Sequence, residues 1–101
     1  MAVSLQVIYP VSDQSRFDFD YYMSTHMKIV DDTMGPHVEQ VVITKGLAGG
    51  PDQPAAYHAV ATIIFGDQDA MDQAMAAAGP AVADIPNFTN VQPDLLIGEV
   101  L

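Results

Sequence analysis

A chain of 101 residues carrying a net charge of -10, with Arg16, Lys28 and Lys45 as its cations, repels phosphate backbones and anionic headgroups, which argues against nucleic-acid and membrane partners. Half of its residues are hydrophobic, too many for a disordered chain, and the length suits a single domain, residues 1–101. The absence of cysteine rules out disulfides and thiol chemistry, and "MAVSLQVIYP" lacks the basic leader of a signal peptide.

No apolar run approaches the ~18 residues of a membrane span, so a cytoplasmic protein is expected. In chain order, Val3, Leu5, Val7 and Tyr9 alternate with Ser4, Gln6 and Ile8, which predicts a strand ending at Pro10. A helix is expected over residues 17 to 34, with Asp18 as N-cap and Gly35-Pro36 closing it. "HVEQVVITKGLAGG" reads as a second strand entering a glycine-rich hairpin loop, and "AAYHAVATIIF" as a third strand. "DQDAMDQAMAAAG" reads as a short helix with acids in its first turn and Gly79 at its end. "NVQPDLLIGEV" gives a fourth strand, where Pro93 suits an edge or an early position.

The order β-α-β-β-α-β on so short a chain predicts a ferredoxin-like α+β sandwich, an antiparallel four-stranded sheet with two helices on one face. The third strand carries apolar groups on both faces: Tyr57, Ala59, Ala61, Ile63 and Phe65 on one, His58, Val60, Thr62 and Ile64 on the other. Two helices cover one face only. A homodimer paired sheet to sheet is the economical cover for the second.

Counting ~100° per residue from Phe19 puts Tyr22, Met23, His26, Met27 and Val30 on one helical stripe, Met34 a turn further, and Tyr21, Ser24 and Lys28 on the other side. His26 therefore faces the sheet where leucine would pack more cheaply. It is either a satisfied core histidine or a reactive group, and the residues alone leave both readings open. Met23, Met27 and Met34, joined by Met71 and Met75, are ordinary core residues or the walls of an adaptable apolar cavity.

The other histidines, His37 and His58, make no HxH or HxxxH spacing with it, so no metal site is read. GxGxxG, Walker and GxSxG patterns are absent, and Ser24 and Thr25 point away from His26, which disfavours a Ser–His nucleophile. "DIPNFTNVQP", Asp84 to Pro93, reads as a broken loop folded over the sheet, with Phe88 buried and Asn87 or Asn90 bonded to backbone. Phe88 then either caps the core or closes one end of a cavity.

"FDFDYYMSTHM", "FGDQDAM" and "DIPNFTNVQP" together resemble the EthD family of the dimeric α+β barrel superfamily. The resemblance implies subunits pairing sheet to sheet, and a Tyr22–His26 helix motif turned toward a cleft between helix and sheet. Founding members of the family are associated with ethyl tert-butyl ether degradation. The superfamily includes cofactor-free monooxygenases, muconolactone-type isomerases and haem-handling enzymes. Lys28 and Ile29 stand where the motif usually continues with proline and leucine, and a tryptophan often found near Met34 is missing.

The expected function is binding of a small apolar metabolite, aromatic or lactone-like, with cofactor-free proton transfer of the isomerase or monooxygenase type. His26 would act as general base or acid, Tyr22 would orient it or the substrate, and Met23, Met27 and Phe88 would contact the substrate. The alternatives are a non-catalytic module supporting a degradative oxygenase and, ranked below it, haem binding through His26. Three cations are few for haem propionates.

Overall fold

The computed structural model describes residues 1–101. Four strands, β1 (Val3–Pro10), β2 (Gln40–Lys45), β3 (Tyr57–Phe65) and β4 (Asp94–Glu99), form one sheet in the order β2-β3-β1-β4, with every neighbouring pair antiparallel. The register places Leu5 beside Ile63 and Ile97, and Val7 beside Ala61 and Leu95. Because strand side chains alternate, these residues share one face with Tyr9, Ala59 and Phe65. That is the face the helices cover, and on it Leu5, Tyr9, Ala59, Ala61, Ile63 and Phe65 are buried. This is the ferredoxin-like α+β sandwich expected from the element order.

The first helical stretch has three parts: α1 (Phe19–Tyr21), a π-helical turn (Tyr22–His26) and α2 (Met27–Thr33). Asp18 caps it, its carboxylate accepting from the Tyr21 amide at 3.0 Å. In the π turn the Met27 amide reaches back five residues to the Tyr22 carbonyl. Each residue of such a wide turn advances by less than the ~100° of an α-helix, which shifts the buried stripe. Tyr22, His26, Val30 and Met34 are buried at a constant spacing of four, and Met27 is half-buried. The regular stripe expected from sequence is corrected at two positions: Met23 is 53% exposed on the outer surface, and Tyr21 turns inward to bond Asp84.

After β3 come α3 (Gln68–Ala76), α4 (Gly79–Asp84) and a 3-10 turn (Ile85–Asn87). Asp67 caps α3 by accepting from the Ala70 amide at 2.8 Å. Gly79, which the sequence pattern places at the end of this helix, opens the next one. Pro80 explains the correction, since its fixed φ and missing amide suit a helix's first turn. Asp84 accordingly closes a helix rather than opening a loop. The remainder of the segment is fastened to the chain before α1. The Asp18 amide donates to the Phe88 carbonyl at 2.8 Å, the Thr89 hydroxyl to the Arg16 carbonyl at 2.6 Å, and Asn90 bridges the Arg16 amide and the Gln14 carbonyl.

Two apolar clusters fill the space between helices and sheet. Leu5, Val30, Met34, Ile63, Phe65, Met71 and the alanines 74, 78 and 81 make the larger one. The fully buried Phe65 ring stabilises the fold by roughly 1.5–3 kcal/mol relative to leaving it in water. Tyr9, Tyr22, Ala59 and Phe88 make the smaller one. No helix is long and apolar enough to cross a membrane.

Candidate active site

A cavity of about 520 Å³ opens between the first helical stretch, the sheet and the segment that follows α4. That volume suits a small-molecule ligand, for which roughly 300–1,000 Å³ is usual. Val7, Ala61 and Ile63 form its floor, Tyr22, His26, Met27 and Val30 one wall, and Ile85, Pro86 and Val91 the other. Of 22 lining residues 16 are hydrophobic, and none is Lys, Arg, Asp or Glu, so the cavity selects against charged ligands. Val82 and Leu95 line it while remaining 61% and 58% exposed, which marks the mouth beside β4.

His26 sits in the π turn, where the altered phase carries its ring toward Asp84. Its Nδ1 lies 3.0 Å from Asp84 Oδ2. Asp84 Oδ1 accepts from the Tyr21 hydroxyl at 2.6 Å and from Asn87 Nδ2 at 3.0 Å. An ionised carboxylate can only accept, so the shared proton belongs on His26 Nδ1. The imidazole lies nearly parallel to the Tyr22 ring, at 5.4 Å and 14°, and Phe88 packs on it with centroids 4.5 Å apart. Three neighbours therefore hold one ring.

Every fully buried polar side-chain atom in the protein has a hydrogen-bond partner. His26 Nε2 has none, so it is not fully buried, and His26 is one of the residues that line the cavity. Burial holds the His26 pKa below its ordinary 6.5, although the bond and charge of Asp84 pull upward. Burial also raises the Asp84 carboxyl, but the bonds from Tyr21, Asn87 and His26 outweigh it and hold the group below 3.8. At neutral pH the pair is thus a carboxylate beside a neutral imidazole in the cavity wall, whose Nε2 keeps an unpartnered lone pair. Such a group can take a proton from a bound molecule and return it.

Of the residues singled out from sequence, His26, Tyr22 and Met27 meet at the cavity. Phe88 is buried behind the imidazole and does not line the space. Met23 lies with Phe19, Asp20, Ser24, Ile43 and Lys45 around a separate outer hollow. His58 Nε2 bonds Ser15 Oγ at 2.8 Å, and its ring stacks on Phe17. No three histidine or carboxylate side chains converge anywhere. His26 Nε2 could ligate a haem iron, but the cavity offers its propionates no cation, so the residues do not fit haem.

Sequence reasoning missed Asp84, its supports Tyr21 and Asn87, and the exposure of Tyr9 to the cavity. One signal was available for Asp84: a buried histidine needs a partner, and this is the lone acid between Asp72 and Asp94.

The fold has counterparts among solved structures. An EthD-like protein of Ralstonia eutropha JMP134 is 32% identical, with 99% of this chain and 92% of that one covered and a TM-score of 0.89. An ethyl tert-butyl ether D (EthD) family protein of Bacillus halodurans C-125 is 22% identical over the full length of both chains, with a TM-score of 0.78. The cofactor-independent oxygenase SnoaB of Streptomyces nogalater shares the fold at 13% identity, with 99% of this chain and 95% of that one covered and a TM-score of 0.58. No curated protein matches the chain. Residues 12–92 match the EthD domain, and with four-fifths of its length inside that match the chain belongs to the EthD family.

Proposed function

We propose that this chain is a cytoplasmic enzyme that binds a small, uncharged, largely apolar metabolite in the cavity and moves a proton on it without a cofactor. The observation that carries this reading is the Asp84–His26 pair in the wall of an apolar cavity, its Nε2 without a partner in the protein. Nε2 takes a proton from an acidic C–H of the substrate, and the C–H electron pair delocalises into the substrate. Asp84 stabilises the imidazolium so formed and keeps its ring in place. Tyr22 orients the imidazole, Met27 adapts the wall to the ligand, and Phe88 backs the ring.

Two outcomes then share the same base. In an isomerase the imidazolium returns its proton to a different carbon. In an oxygenase dioxygen takes the carbanion's electrons, and the returned proton completes a hydroperoxide, so that R–H and O2 give R–OOH. The fold shared with a cofactor-independent oxygenase supports the second outcome.

The proposal includes a homodimer. Ile8, Val42, Val60, Ile64 and Leu96 leave apolar surface on the sheet face that no helix covers. Light scattering at micromolar concentration should return twice the 10.8 kDa chain mass, and a monomer would refute the pairing.

The proton step is tested with 1-tetralone, a neutral aromatic ketone with acidic hydrogens beside its carbonyl. Proton NMR in D2O should show wild-type protein accelerating exchange at those hydrogens. His26→Gln should abolish the acceleration while melting within a few degrees of wild type. Binding of the ketone with no exchange above buffer would replace catalysis by the non-catalytic binding module.

A further inference from the structure

Two hydroxyls on residues of the cavity wall have no role in the proton step described so far. Tyr9 and Tyr22 are 2% and 1% exposed, yet neither hydroxyl has a hydrogen-bond partner in the protein. Since no fully buried polar side-chain atom is left unpartnered, both hydroxyl oxygens reach solvent, and both residues line the cavity. Their rings stand edge to face with centroids 6.0 Å apart, and Phe88 packs against both. Phenylalanine would fill these places without any cost for an idle hydroxyl.

The surroundings fix what the pair can bind. A phenol hydroxyl donates one hydrogen bond, and no acceptor of the protein takes either of these two. Burial pushes the Tyr22 hydroxyl up to about 12 and raises Tyr9 further, so both remain protonated donors at neutral pH. No cation lines the cavity, so a ligand that arrives as an anion would find no countercharge. A neutral carbonyl oxygen that turns into an oxyanion during reaction suits two such donors better than a carboxylate or phosphate does.

We infer that the Tyr9 and Tyr22 hydroxyls donate to the carbonyl oxygen of the substrate, which makes the substrate class a neutral ketone or lactone with an acidic C–H beside that carbonyl. This rests on the reading of His26 as the base. His26 Nε2 removes the proton from the α-carbon, a carbon–carbon double bond forms, and the carbonyl π pair moves onto oxygen. The two tyrosines hold the resulting enolate oxygen. Return of the proton from the imidazolium restores the ketone, or delivers the isomer if it goes to a remote carbon. Tyr9 thereby joins the site as a residue that touches substrate, from a strand the helix motif does not include.

The experiment compares 1-tetralone with tetralin, the same bicycle without the oxygen. Wild type should bind the ketone about tenfold or more tightly by calorimetry, and equal affinities would overturn the inference. Tyr9→Phe and Tyr22→Phe keep the rings that pack the cluster and should melt near wild type. Each should erase most of the ketone preference, leave tetralin affinity unchanged and slow α-hydrogen exchange by roughly 100-fold. If both variants exchange and bind like wild type while His26→Gln is inactive, the base survives and the donor pair is refuted. If His26→Gln also exchanges like wild type, the proton-transfer reading itself falls.

Discussion

The two apolar clusters lie under one sheet and differ in what they contain. The larger joins Leu5, Ile63, Phe65 and Met71 to the small alanines 74, 78 and 81, with no polar side chain among them. The smaller is built on Tyr9, Tyr22 and Phe88, with His26 packed against its rings. Wholly apolar groups of varied size fill space closely, which is how a core acquires stability. Aromatic groups with polar tips fill space while leaving hydroxyls and an imidazole to be aimed. The cavity borrows a wall from both, with Val30 and Ile63 from the first and Tyr9 and Tyr22 from the second. On the proposed function, stability and chemistry are divided between neighbouring parts of one layer.

The division predicts opposite consequences for substitutions a few residues apart. The largest loss of stability belongs to the larger cluster: Phe65→Ala should cost about 3–5 kcal/mol in urea denaturation, since the ring is fully buried. Exchange of 1-tetralone hydrogens by the fraction still folded should change little. A cost below about 1 kcal/mol would show that this end of the sheet collapses around the gap, and would erase the contrast between clusters.

The next effect belongs to the site. Asp84→Asn preserves shape but removes the charge, and its amide can donate to Nδ1 and install the wrong tautomer. Exchange should fall by roughly 10²–10⁴, with the fold retained. Losing the upward pull of Asp84 should also carry the His26 pKa further down, moving the acid limb of the exchange profile to lower pH.

The sign for stability follows from the same shifts. His26 titrates lower when folded than its ordinary 6.5, so the unfolded chain binds more protons in that interval. The stability linked to His26 is complete above about pH 6.5 and is lost as pH falls through its folded pKa. Asp84, held below 3.8, adds a second loss at more acid pH. Between pH 7 and pH 5 the melting temperature of wild type should therefore fall more than that of His26→Gln. Equal falls would mean that the imidazole is not held neutral by its site.

Much of the architecture was legible because it rests on local chemistry. Val3, Leu5, Val7 and Tyr9 announce a half-buried strand by alternation, and Asp18 and Asp67 cap helices through bonds to amides three residues on. His26 was conspicuous because a polar ring on an apolar stripe is costly. Its partner was hidden by distance, since Asp84 is 58 residues away and the two meet only once the chain has crossed the sheet. The π turn was hidden for another reason. It is a slip of one backbone hydrogen bond that no residue type enforces, yet it decides which side chains face inward.

The smallest predicted effect tests that slip directly. In a regular helix Met23 would share the inner stripe with His26, and truncating it would open a cavity at a cost of about 2–5 kcal/mol. With the π turn, Met23 stands outside beside Lys45 and Phe19, half in water. Met23→Ala should then cost no more than about 0.5 kcal/mol and leave both tetralone affinity and exchange unchanged. Met27→Ala is the matched control, since Met27 is half-buried and lines the cavity. It should weaken binding of tetralone and tetralin alike, because it removes an apolar wall and no donor. Should the two methionines behave in the reverse order, the helix keeps α-helical phase through His26, and the imidazole must reach Asp84 by some other turn of the backbone.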